Sequence, residues 1–233
     1  MNGPHQEVTV LAGGWSASKV DLRKLPGTVI AVNDAAYYAP RWDICVSMDR
    51  MWAENRWALI ERSTTRSIFL RKSTMKNVDP KGLSHVHLFE NDHTAIVLSD
   101  EIGTLHGTNS GFCALNLAYQ MRPQKLFLVG FDMALGPRGE RHWFPDYEWK
   151  SGGGSGAGKL REWAAQFKMA AKQLAAANVK TRICGNSSAV QYWEQIDKRQ
   201  LEKCFDDAAE NTESSQGRSA QTRTEALPLR SAL

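Results

Sequence analysis

The chain has 233 residues, enough for one substantial α/β domain or two small ones. Hydrophobic residues make up 42% and charged residues 23% of the sequence, which is close to ordinary globular usage. The formal net charge is +4, and because no block of five like charges appears, a dedicated nucleic-acid arm is not indicated. The N-terminus lacks a basic region followed by an apolar core, and no stretch reaches about 18 apolar residues. We therefore expect a cytoplasmic protein.

Short apolar segments alternate with helical patterns along the chain. Strands are predicted, in chain order, at residues 7–12, 28–32, 43–47, 67–70, 125–129 and 180–184, with a further short strand at 86–89. Residues 15–25 read as a loop with a short helix, and helices are predicted at 51–60, 112–119 and 160–177. This alternation predicts an α/β fold, a single Rossmann-like domain over residues 6–198 with a mostly parallel sheet and helices on both faces.

Small or polar residues follow most of the predicted strands. In parallel sheets of this kind, ligands bind outside the carboxyl ends of the strands, so we expect these residues to face one crevice. They are Gly13-Gly14, Asn33-Asp34, Asp49, Gly130 to Asp132 and Asn186-Ser187.

Two segments differ from this pattern in composition. The glycine-rich run 151–158 is either the hinge of an active-site lid, which would span residues 138–158, or a plain linker. Residues 206–233 contain few large apolar side chains and predict a disordered, dispensable tail.

The four cysteines form no CxxC pair. Cys45, Cys113 and Cys184 lie inside apolar runs, whereas Cys204 lies near the predicted tail. We expect the first three to be small buried hydrophobic residues rather than metal ligands or disulfide partners.

Two short motifs are compatible with a nucleotide site, and each has a structural alternative. Gly13, Gly14 and Ser16 follow a strand, where glycines permit close approach to a phosphate or ribose or simply form a tight turn. Asn109, Ser110 and Gly111 precede a helix, where the side chains cap the helix or the free N–H groups hold a phosphate.

The candidate catalytic residues lie at and after the strand that ends in Gly130. Asp132 follows this strand and is able to accept hydrogen bonds from a loop or a sugar hydroxyl. His142 is the histidine with the most site-like surroundings, and a histidine is the usual general base for a hydroxyl nucleophile, although a loop histidine is also an ordinary surface residue. The residues around it that would line a lid are Arg138, Arg141, Trp143 and Tyr147.

Two long runs resemble the family 42 sialyltransferases. VTVLAGGWSASKVDLRKLPGTVIAVNDAAYY is similar to the family's opening, and GTNSGFCALNLAYQMRPQKLFLVGFDM is similar to its Thr-Ser-Gly helix and the strand that ends in Gly-Ile-Asp. The similarity covers residues 8–193 and is thin between 50 and 103. A wider group of phage proteins of unknown function and the archaeal 6-hydroxymethylpterin pyrophosphokinase-like domains share the pattern.

The resemblance implies a CMP-sugar site and metal-independent transfer with inversion. By this resemblance, the family's nucleotide loop corresponds to Gly13, Gly14 and Ser16, and the asparagine after its second strand corresponds to Asn33. Its Thr-Ser-Gly turn corresponds to Asn109, Ser110 and Gly111. Its strand-end carboxylate corresponds to Asp132 and its catalytic histidine to His142. The sequence departs from the family at Ala134, where a tyrosine is usual, and at Gly107, where an arginine is usual. These departures fit a relative that uses another nucleotide-activated group.

Three functions follow as hypotheses. The first is a glycosyltransferase that uses a nucleotide-activated sugar, a CMP-sugar being favoured, with His142 as the base and no cofactor. The second is pyrophosphokinase-like phosphoryl transfer, which would require Mg²⁺ near Asp49 and Asp132. The third is a protein that binds a nucleotide or nucleotide-sugar without turnover. The acceptor is undetermined, no membrane or nucleic-acid partner is expected, and a homo-oligomer is among the assemblies that the sequence allows.

Overall fold

Nine parallel strands form one sheet at the centre of the protein. The computed structural model describes residues 7–75, 80–149, 156–185 and 189–203. The strands are β1 Glu7–Leu11, β2 Thr28–Val32, β3 Ile44–Ser47, β4 Ser67–Arg71, β5 Val86–Asp92, β6 Thr104–His106, β7 Lys125–Val129, β8 Lys180–Cys184 and β9 Glu194–Ile196. Their order is β6-β5-β4-β3-β2-β1-β7-β8-β9, and each neighbouring pair is parallel. The predicted Rossmann-like α/β fold is confirmed.

Helices cover both faces of the sheet, as the sequence predicts. Alternate residues of β7 show the two layers, because Leu126 and Leu128 belong to one apolar cluster and Phe127 and Val129 to the other. The first cluster includes side chains of α4 (Ser110–Gln120) and α5 (Ala157–Ala176). The second includes side chains of the short helices α1 (Ala35–Tyr38), α2 (Arg50–Asn55) and α3 (Trp57–Arg62).

The single helix predicted at residues 51–60 is wrong, because the chain forms two helices there. Arg56 separates α2 from α3, and its backbone has φ −110° and ψ 17°. The Arg56 guanidinium makes two hydrogen bonds to the buried Asp34 carboxylate, Nε to Oδ1 at 2.9 Å and the second nitrogen to Oδ2 at 2.8 Å. The hydrophobic periodicity of residues 51–60 does not reveal this ion pair between Arg56 and Asp34.

Two short strands and part of a third are absent from the sequence prediction. β6 and β9 have three residues each, too few to produce an alternating pattern. β5 continues through Glu90, Asn91 and Asp92, where the polar residues end any apolar signal. Most of the glycine-rich run, the Asn186-Ser187 strand end and the predicted tail lie outside the described residues.

Cys45, Cys113 and Cys184 are buried and have free thiols, as expected from their apolar surroundings. Burial raises the pKa of Cys113 and of Cys184 to about 12, so both thiols stay protonated at neutral pH. Among the described residues, no helix has the length and apolar character needed to cross a membrane.

The direction of strand succession reverses between β1 and β7. From β1 the chain adds β2 to β6 on one side, and it then returns to place β7, β8 and β9 on the other. At such a reversal, open α/β sheets bind ligands in a crevice outside the carboxyl ends of the strands.

Candidate functional site

A cavity of about 590 Å³ lies at the carboxyl ends of the strands and includes this crevice. The loops after β1 and β7 meet at its floor, where the Gly14 N–H donates to the Gly130 carbonyl oxygen at 2.8 Å. The cavity falls in the size range of small-molecule and cofactor sites.

Most of the site residues that the sequence predicts line this cavity. They come from loops after four strands, from the start of α4 and from the segment after β7, so the fold brings together positions far apart in the chain. The predicted residues that line it are Gly13, Gly14, Asn33, Asp49, Asn109, Ser110, Gly111, Gly130, Arg141, His142 and Tyr147. Those that lie outside its lining are Ser16, Asp34, Asp132, Arg138 and Trp143.

The glycine turn after β1 is held from below by Asp132. The Ser16 N–H donates to Asp132 Oδ2 at 2.7 Å, and a β-carbon on Gly14 would lie 2.7 Å from the same oxygen and 2.4 Å from the Gly130 carbonyl oxygen. Asp132 is only 3% exposed, and burial raises its pKa. This carboxyl group supports the turn and does not face the cavity.

Asn33 and Asp34, adjacent in sequence, point in different directions. Asn33 has a left-handed backbone with φ 52°, a conformation that asparagine tolerates better than most residues, and it lines the cavity. Asp34 is 1% exposed and accepts hydrogen bonds from Arg56 and from Trp52 Nε1 at 2.8 Å. Asp34 thus fixes the helices on the second face rather than contacting a ligand.

The N-terminus of α4 opens into the cavity. Asn109 is its N-cap, and Asn109 Oδ1 accepts from the Phe112 N–H at 2.9 Å, while Ser110 Oγ accepts from the Met48 N–H at 3.1 Å. The first N–H groups of a helix have no intrahelical acceptor and carry a partial positive charge, so this end of α4 favours an anionic ligand. Capping and anion binding are therefore compatible at this turn.

His142 lies directly against the glycine turn. The Trp143 N–H donates to the Gly13 carbonyl oxygen at 3.1 Å, and Trp143 Nε1 donates to the Ala12 carbonyl oxygen at 3.0 Å. The His142 ring stacks on Phe144 with centroids 5.0 Å apart, and Phe144 stacks in turn on Tyr38 at 5.2 Å. Trp143 and Phe144 thus fix the imidazole at the wall of the cavity.

The remaining residues nominated for the lid divide into two groups. Tyr147 lines the cavity, and its hydroxyl interacts with the Asn33 side chain and the Asp34 backbone, while burial raises its pKa above the ordinary value. Arg141 also lines the cavity. Arg138 instead has a side chain that is 86% exposed and pairs with Glu140 at 2.7 Å, away from the cavity.

Sequence reasoning missed several cavity residues, of which Arg71 and Trp163 are the most informative. Arg71 is the last residue of β4, so the rule that strand ends face the crevice would have found it. Trp163 belongs to α5, whose amphipathic pattern gives no sign that one end of the helix reaches the site. Arg50 and Asp146 also line the cavity.

Four of the lining side chains carry a buried polar atom that has no hydrogen-bond partner among the described residues. A buried unsatisfied group of this kind costs about 1–3 kcal/mol, and a bound ligand that pairs with it recovers that cost. The atoms are Asn33 Oδ1, Arg71 Nε, Asn109 Nδ2 and Trp163 Nε1. A polar ligand in the cavity would supply hydrogen-bond partners for these side chains.

The charges that line the cavity are mixed. Arg50, Arg71 and Arg141 contribute positive charge, and Asp49 and Asp146 contribute negative charge. Asp49 also caps α2, since its Oδ1 accepts from the Met51 N–H at 2.9 Å. Within the described part of the chain, no three His, Cys, Asp or Glu side chains are grouped so as to hold a metal ion.

Comparisons with known proteins give one match. No family model matches the chain, and no curated protein matches it. Among solved structures, the chain is similar to the sialyltransferase CstII from Campylobacter jejuni in complex with a substrate analogue, CMP-3FNeuAc. The two are 13% identical, the TM-score is 0.47, and the match covers 82% of this chain and 86% of the other.

Proposed function

We propose that this protein is a glycosyltransferase-like enzyme that transfers a sugar from a nucleotide-activated donor, without a metal ion, with His142 as the general base. The observation that carries the proposal is the cavity that joins the glycine turn, the N-terminus of α4 and the imidazole of His142. The preference for a CMP-linked donor rests on the resemblance of residues 8–193 to the family 42 sialyltransferases.

In the proposed reaction, His142 removes the proton from an acceptor hydroxyl as its oxygen attacks the anomeric carbon of the donor. The bond from this carbon to the phosphate oxygen breaks, and the nucleotide leaves with the electron pair. The partial positive charge at the start of α4 stabilises the developing negative charge on the phosphate. Ala134 lines the cavity at the position where the family has a tyrosine, so another group must meet part of that charge.

The close packing of His142 supports a role as a base rather than as an ordinary surface residue. A β-carbon on Gly13 would lie 3.0 Å from His142 Nδ1, so the imidazole is in contact with the turn that the proposal assigns to the nucleotide. A general base must lie within hydrogen-bond reach of the proton that it removes, and the stacked Phe144 ring restricts where the imidazole can lie.

Two experiments test the proposal. A thermal-shift screen with CMP-, UDP-, GDP- and ADP-linked ligands and ATP should identify the nucleobase of the donor, because a ligand at 100 times its Kd stabilises the native state by about 2.7 kcal/mol. His142→Ala should then reduce turnover by about 10²- to 10⁴-fold with little change in nucleotide affinity, because the base acts on the acceptor. Near-normal turnover of this variant would refute the assignment.

The alternative of Mg²⁺-dependent phosphoryl transfer is expected from the sequence to use Asp49 and Asp132, but Asp132 lies outside the cavity lining. We retain the alternative with Asp146 in its place, because Asp49 and Asp146 both line the cavity. Carboxylates are the side chains that hold Mg²⁺ near phosphates. Turnover that is abolished by EDTA and restored by Mg²⁺ would favour this alternative over metal-independent transfer. Tight nucleotide binding with no turnover under either condition would instead favour a binding protein.

A further inference from the structure

We infer that Arg71, Asn109 and Trp163 form an anion subsite that binds an oxyanion of the donor. The inference rests on the proposed function and extends it, because the sequence predicts neither Arg71 nor Trp163 as a site residue. Each of the three lines the cavity and has a buried nitrogen without a partner among the described residues.

Arg71 supplies the charge of the subsite. It is half-buried at the carboxyl end of β4, and its Nε is the unpartnered atom. Burial raises the pKa of the Cys113 thiol in the first turn of α4, and the positive charge of the Arg71 guanidinium opposes this rise. The guanidinium therefore lies near the N-terminus of α4, where its charge adds to that of the helix.

Trp163 approaches the same turn from α5. Gln166, one helical turn further along α5, accepts a hydrogen bond from Thr108 Oγ1 at 2.8 Å. Because residues three apart lie on the same side of a helix, this bond brings the Trp163 side of α5 to the segment that leads into α4. The Asn109 side chain, next to Thr108, is already oriented by its cap to the Phe112 N–H, and its Nδ2 is left to donate.

The three unpartnered atoms are all donors. An indole nitrogen and a guanidinium have no acceptor capacity, and the Asn109 oxygen is already occupied by its cap. A neutral hydroxyl has two acceptor lone pairs and no charge, whereas an oxyanion offers more lone pairs and a negative charge to match Arg71. The chemistry that fits is therefore a phosphate or a carboxylate.

The position of the subsite indicates the size of the ligand. β4 lies three strands away from β1, whose loop contacts His142, and three inter-strand spacings amount to about 14 Å. A ligand that reaches both ends of the cavity has the length of a nucleotide-sugar, not of an inorganic ion. The oxyanion is either the nucleotide phosphate or an acid group on the transferred sugar.

Calorimetric titration of the whole protein with cytidine, CMP, a CMP-linked neutral sugar and a CMP-linked sugar acid separates these two sources. If the subsite takes the phosphate, Arg71→Gln should weaken CMP binding by about 10- to 100-fold and leave cytidine binding unchanged. If it takes a sugar carboxylate, the variant should weaken only the sugar acid, by a similar factor. Either result supports the subsite.

Two control variants make the test specific. Lys72→Gln removes the same charge from the adjacent exposed residue, which pairs with Glu90 and does not line the cavity, so affinities should not change. Trp163→Phe removes the indole N–H together with part of the ring system and should lower affinity for the same ligand that Arg71→Gln affects. Trp193→Phe removes an equally buried, unpartnered N–H outside the cavity and should leave affinity unchanged.

The results also separate the subsite from the transferase proposal. Unchanged affinities for all four ligands in both Arg71→Gln and Trp163→Phe would overturn the subsite while leaving transfer intact. Selective weakening in these variants, with no sugar transfer by the wild-type protein, would support the subsite and refute the transferase. If the wild-type protein binds none of the ligands, both proposals fail.

Discussion

A methyl group added at Gly14 should mainly lower stability, whereas a methyl group added at the neighbouring Gly13 should mainly lower activity. A β-carbon on Gly14 would lie 2.4 Å from the Gly130 carbonyl oxygen and 2.9 Å from its carbonyl carbon. Both are backbone atoms at the end of a central strand, so they cannot rotate away as a side chain would. In Gly14→Ala, the loops after β1 and β7 must therefore separate by several tenths of an ångström.

The cost follows from the contacts that this separation weakens. Overpacking of a close-packed site costs about 1–3 kcal/mol. The Gly14 N–H to Gly130 carbonyl bond and the Ser16 N–H to Asp132 bond cross the same gap, and weakening a hydrogen bond adds about 1 kcal/mol. We therefore expect Gly14→Ala to lower the free energy of unfolding by about 2–4 kcal/mol.

Gly13→Ala is the matched control, because its β-carbon would meet side chains instead. The nearest atoms are His142 Nδ1 at 3.0 Å and Phe144 Cζ at 3.2 Å. We expect a loss of stability below about 1 kcal/mol but reduced turnover, since the imidazole must move. Urea denaturation and turnover of both variants test this contrast. Equal stability of the two proteins would refute the reasoning.

The remaining predictions concern Asp34, Asp132 and Gly158. Asp34→Asn removes the charge partner of Arg56 and should cost about 3 kcal/mol in urea denaturation, whereas a loss below 1 kcal/mol would show that the pair is dispensable. Burial raises the pKa of Asp132, so the stability that its neutral form contributes is lost as pH rises through that pKa. Asp132→Asn should accordingly melt above the wild-type protein at about pH 7 but not below about pH 4, and a gap that is constant with pH would contradict this. Gly158 lies in the first turn of α5 with open space around it, so Gly158→Ala should raise the free energy of unfolding by about 0.5 kcal/mol, the low end of the effect in a helix interior, and any decrease in urea denaturation would be inconsistent with an ordered helix there.

The sequence predicts the sheet and much of the cavity because both depend on local patterns. Buried parallel strands are continuous apolar runs, and the residues that follow them must lie at one edge of the sheet. Which way each strand-end side chain points depends on the loop that follows. Asn33 faces the cavity and Asp34 does not, because the chain turns at the left-handed backbone of Asn33. No pattern in the sequence reveals that turn.

Side chains that reach the cavity from outside the strand ends are harder to predict. Trp163 belongs to a helix that packs on the sheet, and its first turns are brought to the site by tertiary contacts such as the Thr108 to Gln166 hydrogen bond and the Phe112–Phe167 ring contact. Asp132 shows the opposite case, since it follows a strand as a site residue would but hydrogen bonds to the Ser16 N–H beneath the turn. Both outcomes are set by tertiary packing.

The central place of β1 in the sheet has a consequence for how the protein is made. β1 pairs with β2, which follows within about twenty residues, and with β7, which begins at Lys125. During synthesis one edge of β1 therefore stays unpaired until half of the chain has emerged, and such edges are prone to incorrect association. Contacts between residues this distant in sequence also slow folding. Because the glycine turn is completed only when Gly130 and Asp132 dock beneath it, the ability to bind a ligand should be acquired late, after β1 to β6 have assembled.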